Sequence, residues 1–227
     1  MLTIVTANLR EIQSKINDAC QRSGRRSEDV HIIAVTKYVS VETAGETVRA
    51  GIRHLGESRD SGFLEKRKAI GDEATWHFIG TLQSRKVKNV IGGVDYIHSL
   101  DRMSLAKEIE KRAGRVVDCF VQVNAAGERT KHGLSVGETI SFVEQLSRFS
   151  SIRVVGLMTM APLTDNEEEI RAVFRKVNAL KDEICAKQWD HAPCTELSMG
   201  MSNDFAIAVE EGATFVRIGT ALVGKEF

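Results

Sequence analysis

Proline is nearly absent: the 227 residues contain two, Pro162 and Pro193. Neither opens a Pro-rich linker, and no low-complexity tract or fixed-period repeat divides the chain. Residues 1–227 therefore read as one domain, a length ordinary for a single α/β barrel. Cysteine is sparse as well. Cys20, Cys119, Cys185 and Cys194 form no CxxC pair and share no zinc-like spacing with histidine, so no metal site is expected. They read as reduced thiols of a cytoplasmic protein. No charge sign is in excess, because Lys plus Arg and Asp plus Glu are equal at 31 each. A chain without a net field offers no global attraction to nucleic acid. Long apolar runs are missing too, and none approaches the roughly 20 residues of a membrane span. Residues 1–10 show no basic segment leading into an apolar core, so no signal peptide is expected.

What the chain does contain is a repeated kind of unit. A short β-branched run leads into a polar loop and then into a segment of helical periodicity. Residues 2–23 come first, as an amphipathic helix with Leu9, Ile12, Ile16 and Ala19 at three- and four-residue spacing. Strands are predicted over 31–36, 54–56, 76–80, 96–99, 117–123, 154–158, 196–199 and 215–218. Helices are predicted over 41–50, 63–70, 84–91, 102–113, 136–149, 167–187 and 204–211, with a short tail after the last strand. Alternation of this kind implies parallel pairing with right-handed crossovers. Eight units fit a closed TIM (β/α)8 barrel with an extra N-terminal helix. The open doubly wound sheet is the competitor, and no GxGxxG turn follows the first strand to support it.

A barrel of this kind works at the C-terminal ends of its strands. After the seventh and eighth strands stand Gly200, Met201, Ser202, Gly219 and Thr220, in the loops that commonly hold phosphate in this fold. Glycines let backbone approach a ligand, and successive amides form an anion nest. Ser202 also precedes Asn203-Asp204, a plausible helix start; ordinary turn and cap residues are the plain alternative. Lys37 ends the apolar run 32–36 abruptly. Against low-dielectric walls its amine becomes a nucleophile for aldehydes; a solvated strand-end lysine is the alternative. Together the nest and the lysine suit a phosphorylated aldehyde. Arg217, inside the last strand, must point at something: a ligand in the mouth or a neighbouring glutamate. The six histidines show no HxxxH or HExxH spacing, and His77 and His98 read as satisfied structural residues. Lys131, in a glycine-bounded loop, is a second candidate amine or a solvated loop lysine.

Several stretches, taken in order, carry a resemblance. They are Ala34-Val35-Thr36-Lys37, Gly56-Glu57, His77-Phe78-Ile79-Gly80-Thr81-Leu82-Gln83, Gly156-Leu157-Met158-Thr159-Met160, Leu197-Ser198-Met199-Gly200-Met201-Ser202 and Val216-Arg217-Ile218-Gly219-Thr220-Ala221. Over nearly its whole length the chain resembles the pyridoxal-phosphate homeostasis protein family, single-domain barrels related to the N-terminal domain of alanine racemase. The resemblance implies pyridoxal 5′-phosphate (PLP) held as a Schiff base on Lys37. It implies Arg217 as partner of the pyridine nitrogen, with Ser202, Gly219 and Thr220 on the phosphate and Gly200 and Met201 shaping the preceding loop. An arginine there stays charged, keeps the nitrogen unprotonated and leaves the cofactor a weak electron sink. Three positions depart from the family pattern: Ser58 and Arg85 replace asparagines, and Val223 replaces a phenylalanine.

The resemblance also bears on activity. Alanine racemase draws a second catalytic group, a tyrosine, from an additional domain of a partner subunit. This sequence has only Tyr38 and Tyr96, and two-base racemisation needs a group on each face of the substrate. The expectation is a non-catalytic monomer that binds PLP, buffers its aldehyde and hands it to apo-enzymes. The alternatives are a PLP-dependent amino-acid racemase and, without PLP, a Schiff-base aldolase on the same fold.

Overall fold

The computed structural model describes residues 3–128 and 132–226. Eight parallel strands close a barrel in sequence order. They are β1 (His31–Val35), β2 (His54–Glu57), β3 (Thr75–Phe78), β4 (Tyr96–Leu100), β5 (Val117–Gln122), β6 (Ile152–Met158), β7 (Glu196–Met201) and β8 (Phe215–Ile218). β8 returns to β1, with Phe215 opposite His31 and Arg217 opposite Ile33, so the sheet has no edge. The expected TIM barrel is what forms, and the open sheet is excluded.

The helices are α1 (Ile4–Ser23), α2 (Val41–Arg49), α3 (Asp60–Ile70), α4 (Val87–Val90), α5 (Met103–Arg112), α6 (Val136–Gln145), α7 (Glu167–Cys185), α8 (Phe205–Glu210) and α9 (Thr220–Val223). Their starts are written locally. Thr3 accepts from the Thr6 amide, Ser40 from the Thr43 amide, and Asn166 from the Glu168 and Glu169 amides. Ser135 and Glu138 form a capping box. α7 turns Ile170, Val173, Phe174, Val177, Leu180 and Ile184 inward and puts three glutamates in its first turn, where the helix dipole favours them. No helix of the described residues is long and apolar enough to cross a membrane.

α1 does more than flank the barrel. The segment after β8 is only the four-residue α9, not a bare tail. α1 packs against α8 and α9 and so fills the outer-ring place that α9 is too short to fill. Asn8 Nδ2 donates to the Leu222 carbonyl at 3.0 Å, and Arg25 Nη1 to the Val209 carbonyl at 2.6 Å. Two other elements differ from expectation. The predicted helix 84–91 is a 3-10 turn followed by the single turn α4, stopped by Gly92-Gly93. β7 runs on to Met201 through a register shift against β8, where Gly200 adopts φ +91° and a Cβ would lie 2.6 Å from that of Ala208 in α8.

Outward-facing strand residues and the helices share the main apolar core. A second cluster, Ile33, Phe120, Val155, Met158 and Phe215, fills the barrel interior. Branched aliphatics usually dominate there. Here Phe215 instead touches the rings of His31, His54, His77, Tyr96 and Phe120. All four cysteines are free.

Candidate functional site

The C-terminal strand ends surround a cavity of about 400 Å3, within the range of small-molecule sites. Six of the seven residues named from the sequence line it: Lys37 after β1, Met201 and Ser202 at the end of β7, and Arg217, Gly219 and Thr220 at the end of β8. Gly200 does not; it lies behind the mouth, packed on Phe205 and Ala208. A larger hollow, about 890 Å3, opens at the opposite end of the barrel. Its arginines are already engaged, Arg153 by Asp118 at 2.6 and 2.8 Å and Arg115 by Asp95 at 3.2 Å. The mouth is therefore the better site, on donor chemistry as well as on fold.

β1 ends at Val35, and the Thr36 amide still donates to the Gly56 carbonyl at 3.1 Å. That bond delivers Lys37 to the rim. The side chain is exposed there, with Nζ 4.9 Å from the centre of the Tyr38 ring. The cavity wall on its inner side carries Val35, Ile79, Met158 and Met160. What lies beneath it is polar and buried: Thr36 Oγ1 donates to Glu57 Oε1 at 2.6 Å, and Lys66 Nζ donates to the same oxygen at 2.7 Å.

Arg217 is buried at 5% exposure, and among the described residues it makes no ion pair, so a glutamate partner is not what holds it. Nη1 donates to Ser198 Oγ at 2.7 Å and Nη2 to the Thr159 carbonyl at 2.9 Å. A guanidinium has five N–H donors, so donor capacity remains for a ligand. Burial pushes the group down to about 10, opposed by the nearby Asp204 carboxylate; it stays cationic at neutral pH. Burial in turn raises Asp204 above the usual carboxylate range, opposed by the Met201 amide, which donates to Asp204 Oδ1 at 2.5 Å, and by Arg217. Asp204 thus pins the loop that carries Met201 and Ser202. α8 starts one residue later than expected and has six residues.

Neither the Ser202 nor the Thr220 hydroxyl has a partner among the described residues. Both residues line the cavity beside Gly219, whose backbone no Cβ covers. A primary amine, a buried cation with spare donors and two free hydroxyls around an uncovered glycine form a donor set for an aldehyde, a ring nitrogen and a phosphate. On this chemistry the residues fit PLP. Of the three departures, only Ser58 reaches the cavity; Arg85 is exposed against Gln83, and Val223 lies in the core. Gly80 must be glycine to pass Ser58, since a Cβ there would meet the Ser58 carbonyl at 2.4 Å. Lys131 lies outside the described residues. Among the described residues, no group of three His, Cys, Asp or Glu side chains is placed to hold a metal.

His77 and His98 are satisfied, as expected, but by each other. His98 Nε2 is 2.9 Å from His77 Nδ1, and His77 Nε2 is 2.9 Å from His54 Nδ1. The sequence does hold a signal for this. His31, His54, His77 and His98 open or occupy four consecutive strands, one per unit. Metal-type spacing does not detect that period.

The chain matches the family described as alanine racemase, N-terminal domain, over residues 7–226. It is 42% identical to the pyridoxal phosphate homeostasis protein of Aquifex aeolicus over 221 residues, 96% of each chain. The structure of PipY of Synechococcus elongatus PCC7942 with PLP bound superposes with a TM-score of 0.84 at 32% identity, covering 97% of this chain and all of that one. Alanine racemase of Corynebacterium glutamicum shares the fold at a TM-score of 0.72 and 14% identity; this chain spans 60% of it.

Proposed function

This chain belongs to the alanine racemase N-terminal domain family and, within it, to the pyridoxal phosphate homeostasis proteins, and on that premise we propose that it binds PLP at the barrel mouth through Lys37. One observation carries the reading: a single cavity gathers the Lys37 amine, the buried Arg217 guanidinium and the free hydroxyls of Ser202 and Thr220. When bound, PLP supplies an aldehyde that condenses with amines and a ring that withdraws electrons from them. The chain's own residues do the rest. Lys37 provides the amine for covalent attachment. Ser202 and Thr220 donate to the phosphate, and Gly219 leaves room for it to approach the backbone. Arg217 faces the ring nitrogen as a permanent donor and withholds a proton from that atom, which weakens electron withdrawal and suits retention over turnover.

The role that follows is a PLP carrier of the cytoplasm, one domain over residues 1–227, acting as a monomer and passing PLP to apo-enzymes. Its exposed lysine supports hand-over, because a second amine can reach the attachment point from solvent. One observation favours the racemase alternative: the Tyr38 ring stands beside Lys37 at the mouth.

The test is the absorption spectrum with PLP before and after borohydride, for the wild type and Lys37→Ala. A near-visible band that borohydride fixes to the protein, in the wild type alone, supports the site. No band in the wild type removes the PLP reading. Assays for amino-acid turnover and for activation of an apo-enzyme then separate enzyme from carrier.

A further inference from the structure

An unbroken file of polar contacts descends from Arg217 through the barrel interior. Arg217 Nη1 donates to Ser198 Oγ at 2.7 Å, and Ser198 Oγ lies 2.9 Å from His98 Nδ1. His98 then meets His77, and His77 meets His54, each at 2.9 Å. Ser198, His98 and His77 are fully buried. His54 is half-buried at the far end, its ring centre 5.2 Å from that of the exposed His31. The titratable groups facing the file are His31, Tyr96, stacked on His77 at 4.6 Å, Arg217, and Asp204 beyond it.

The protons of this file can be placed by elimination. Burial lowers all three histidines, His54 to about 4 and the other two well below the ordinary value, so each ring is neutral at physiological pH with one N–H. An arginine only donates, so Ser198 Oγ accepts there, and its own hydrogen goes to His98 Nδ1. His98 therefore carries its proton on Nε2 and donates to His77 Nδ1. His77 likewise donates from Nε2 to His54 Nδ1, which leaves the His54 Nε2 hydrogen pointing out of the base. The opposite polarity would have Ser198 accept twice and leave its hydroxyl hydrogen buried with no acceptor, a costly arrangement. One donor-only cation at the top thus sets the tautomer of every ring below it.

We propose that His98 and Ser198 are positioning residues for Arg217, holding the Ser198 oxygen toward Nη1 and so fixing the guanidinium plane that meets the cofactor's ring nitrogen. This rests on the reading that the mouth binds PLP. Three imidazoles occupy space that aliphatic side chains fill more cheaply in other barrels. A merely space-filling role would not require their nitrogens to line up.

Two measurements test it. The first uses apoprotein with 15N-labelled histidine, so it does not depend on PLP. His77 and His98 should both show the Nε2–H tautomer; an Nδ1–H tautomer at His98 overturns the proposal. The second compares the pH profile and maximum of the PLP absorption band in the wild type, Ser198→Ala, His98→Leu and His98→Asn. Ser198→Ala removes one oxygen and His98→Leu the acceptor. Each should shift the profile and weaken PLP binding about fivefold to tenfold. His98→Asn restores an acceptor near the Nδ1 position and should recover the wild-type profile in large part. Folded Ser198→Ala protein with an unchanged band and profile overturns the proposal, whether or not the His98 variants fold. A wild type with the expected tautomers but no PLP band would refute the PLP site, and with it the role of Arg217, while leaving the file's polarity standing.

Discussion

The Lys66 ammonium lies 2.7 Å from the Glu57 carboxylate, and both side chains are buried. Lys66 Nζ also donates to the Thr36 carbonyl at 2.9 Å, so the pair clamps the residue that precedes Lys37. Removing one partner strands the other charge out of water. Glu57→Gln or Lys66→Met should each cost about 3–5 kcal/mol of stability. The double variant should recover much of that loss. Denaturant unfolding checks it, and single variants within 1 kcal/mol of the wild type would mean that water reaches the pair.

The buried histidines set an acid limit. In the unfolded chain they titrate near 6.5, whereas His54 is held at about 4 and His77 and His98 well below the ordinary value. Between the two values the unfolded state binds more protons, so stability falls as pH drops. It is fully present above about pH 6.5 and declines from there to about pH 4 through His54, by an amount on the order of 3 kcal/mol for that residue alone. His54→Phe should make the slope between pH 6.5 and 4 shallower in urea midpoints taken across pH, without abolishing it, because His77 and His98 still contribute there.

Phosphate recognition can be separated from ring recognition. Ser202→Ala should weaken PLP about tenfold or more, since a hydrogen bond to an anion contributes roughly 1.5–3 kcal/mol. Thr220→Val should do the same. Pyridoxal, which lacks the phosphate, should bind both variants as it binds the wild type. Equal losses for the two ligands in equilibrium titrations would place the phosphate elsewhere.

Two glycines predict opposite outcomes. A Cβ on Gly156 would sit 1.9 Å from the Glu196 carbonyl, across the β6–β7 pairing. Gly156→Ala should therefore separate the strands and lose several kcal/mol. Gly137, in the first turn of α6, has open space around its Cβ position. Gly137→Ala should stabilise by about 0.5–1 kcal/mol. Thermal melts followed by circular dichroism decide both.

The strands were legible because most are short β-branched or aromatic runs with a helix-period segment behind them, a pattern local enough to read without neighbours; β2 and β7, which hold no β-branched residue, were placed by their position in the alternation. Their C-terminal ends then placed Lys37, Ser202, Arg217, Gly219 and Thr220 on one rim, since a parallel barrel sends all such ends to one face. Three features were not legible, because each depends on a contact distant in sequence. α1 fills the ring only because α9 is too short to do so. Lys37 is exposed because its neighbourhood is Tyr38 and open mouth, while the buried charges below belong to Glu57 and Lys66. The histidine file depends on residues one barrel unit apart turning to the same interior.

β1 pairs with β8, and residues 36–214 lie between them. Translation at about 5–20 residues per second makes that stretch in roughly 10 to 40 s. Throughout that time β1 has one edge with no strand to cover it, and α1 has neither α8 nor α9 to receive its apolar stripe. The nascent chain is an open sheet until Phe215–Ile218 emerges, and open edges pair with neighbouring chains. The closure that removes every edge from the finished barrel therefore leaves one exposed for nearly the whole of synthesis.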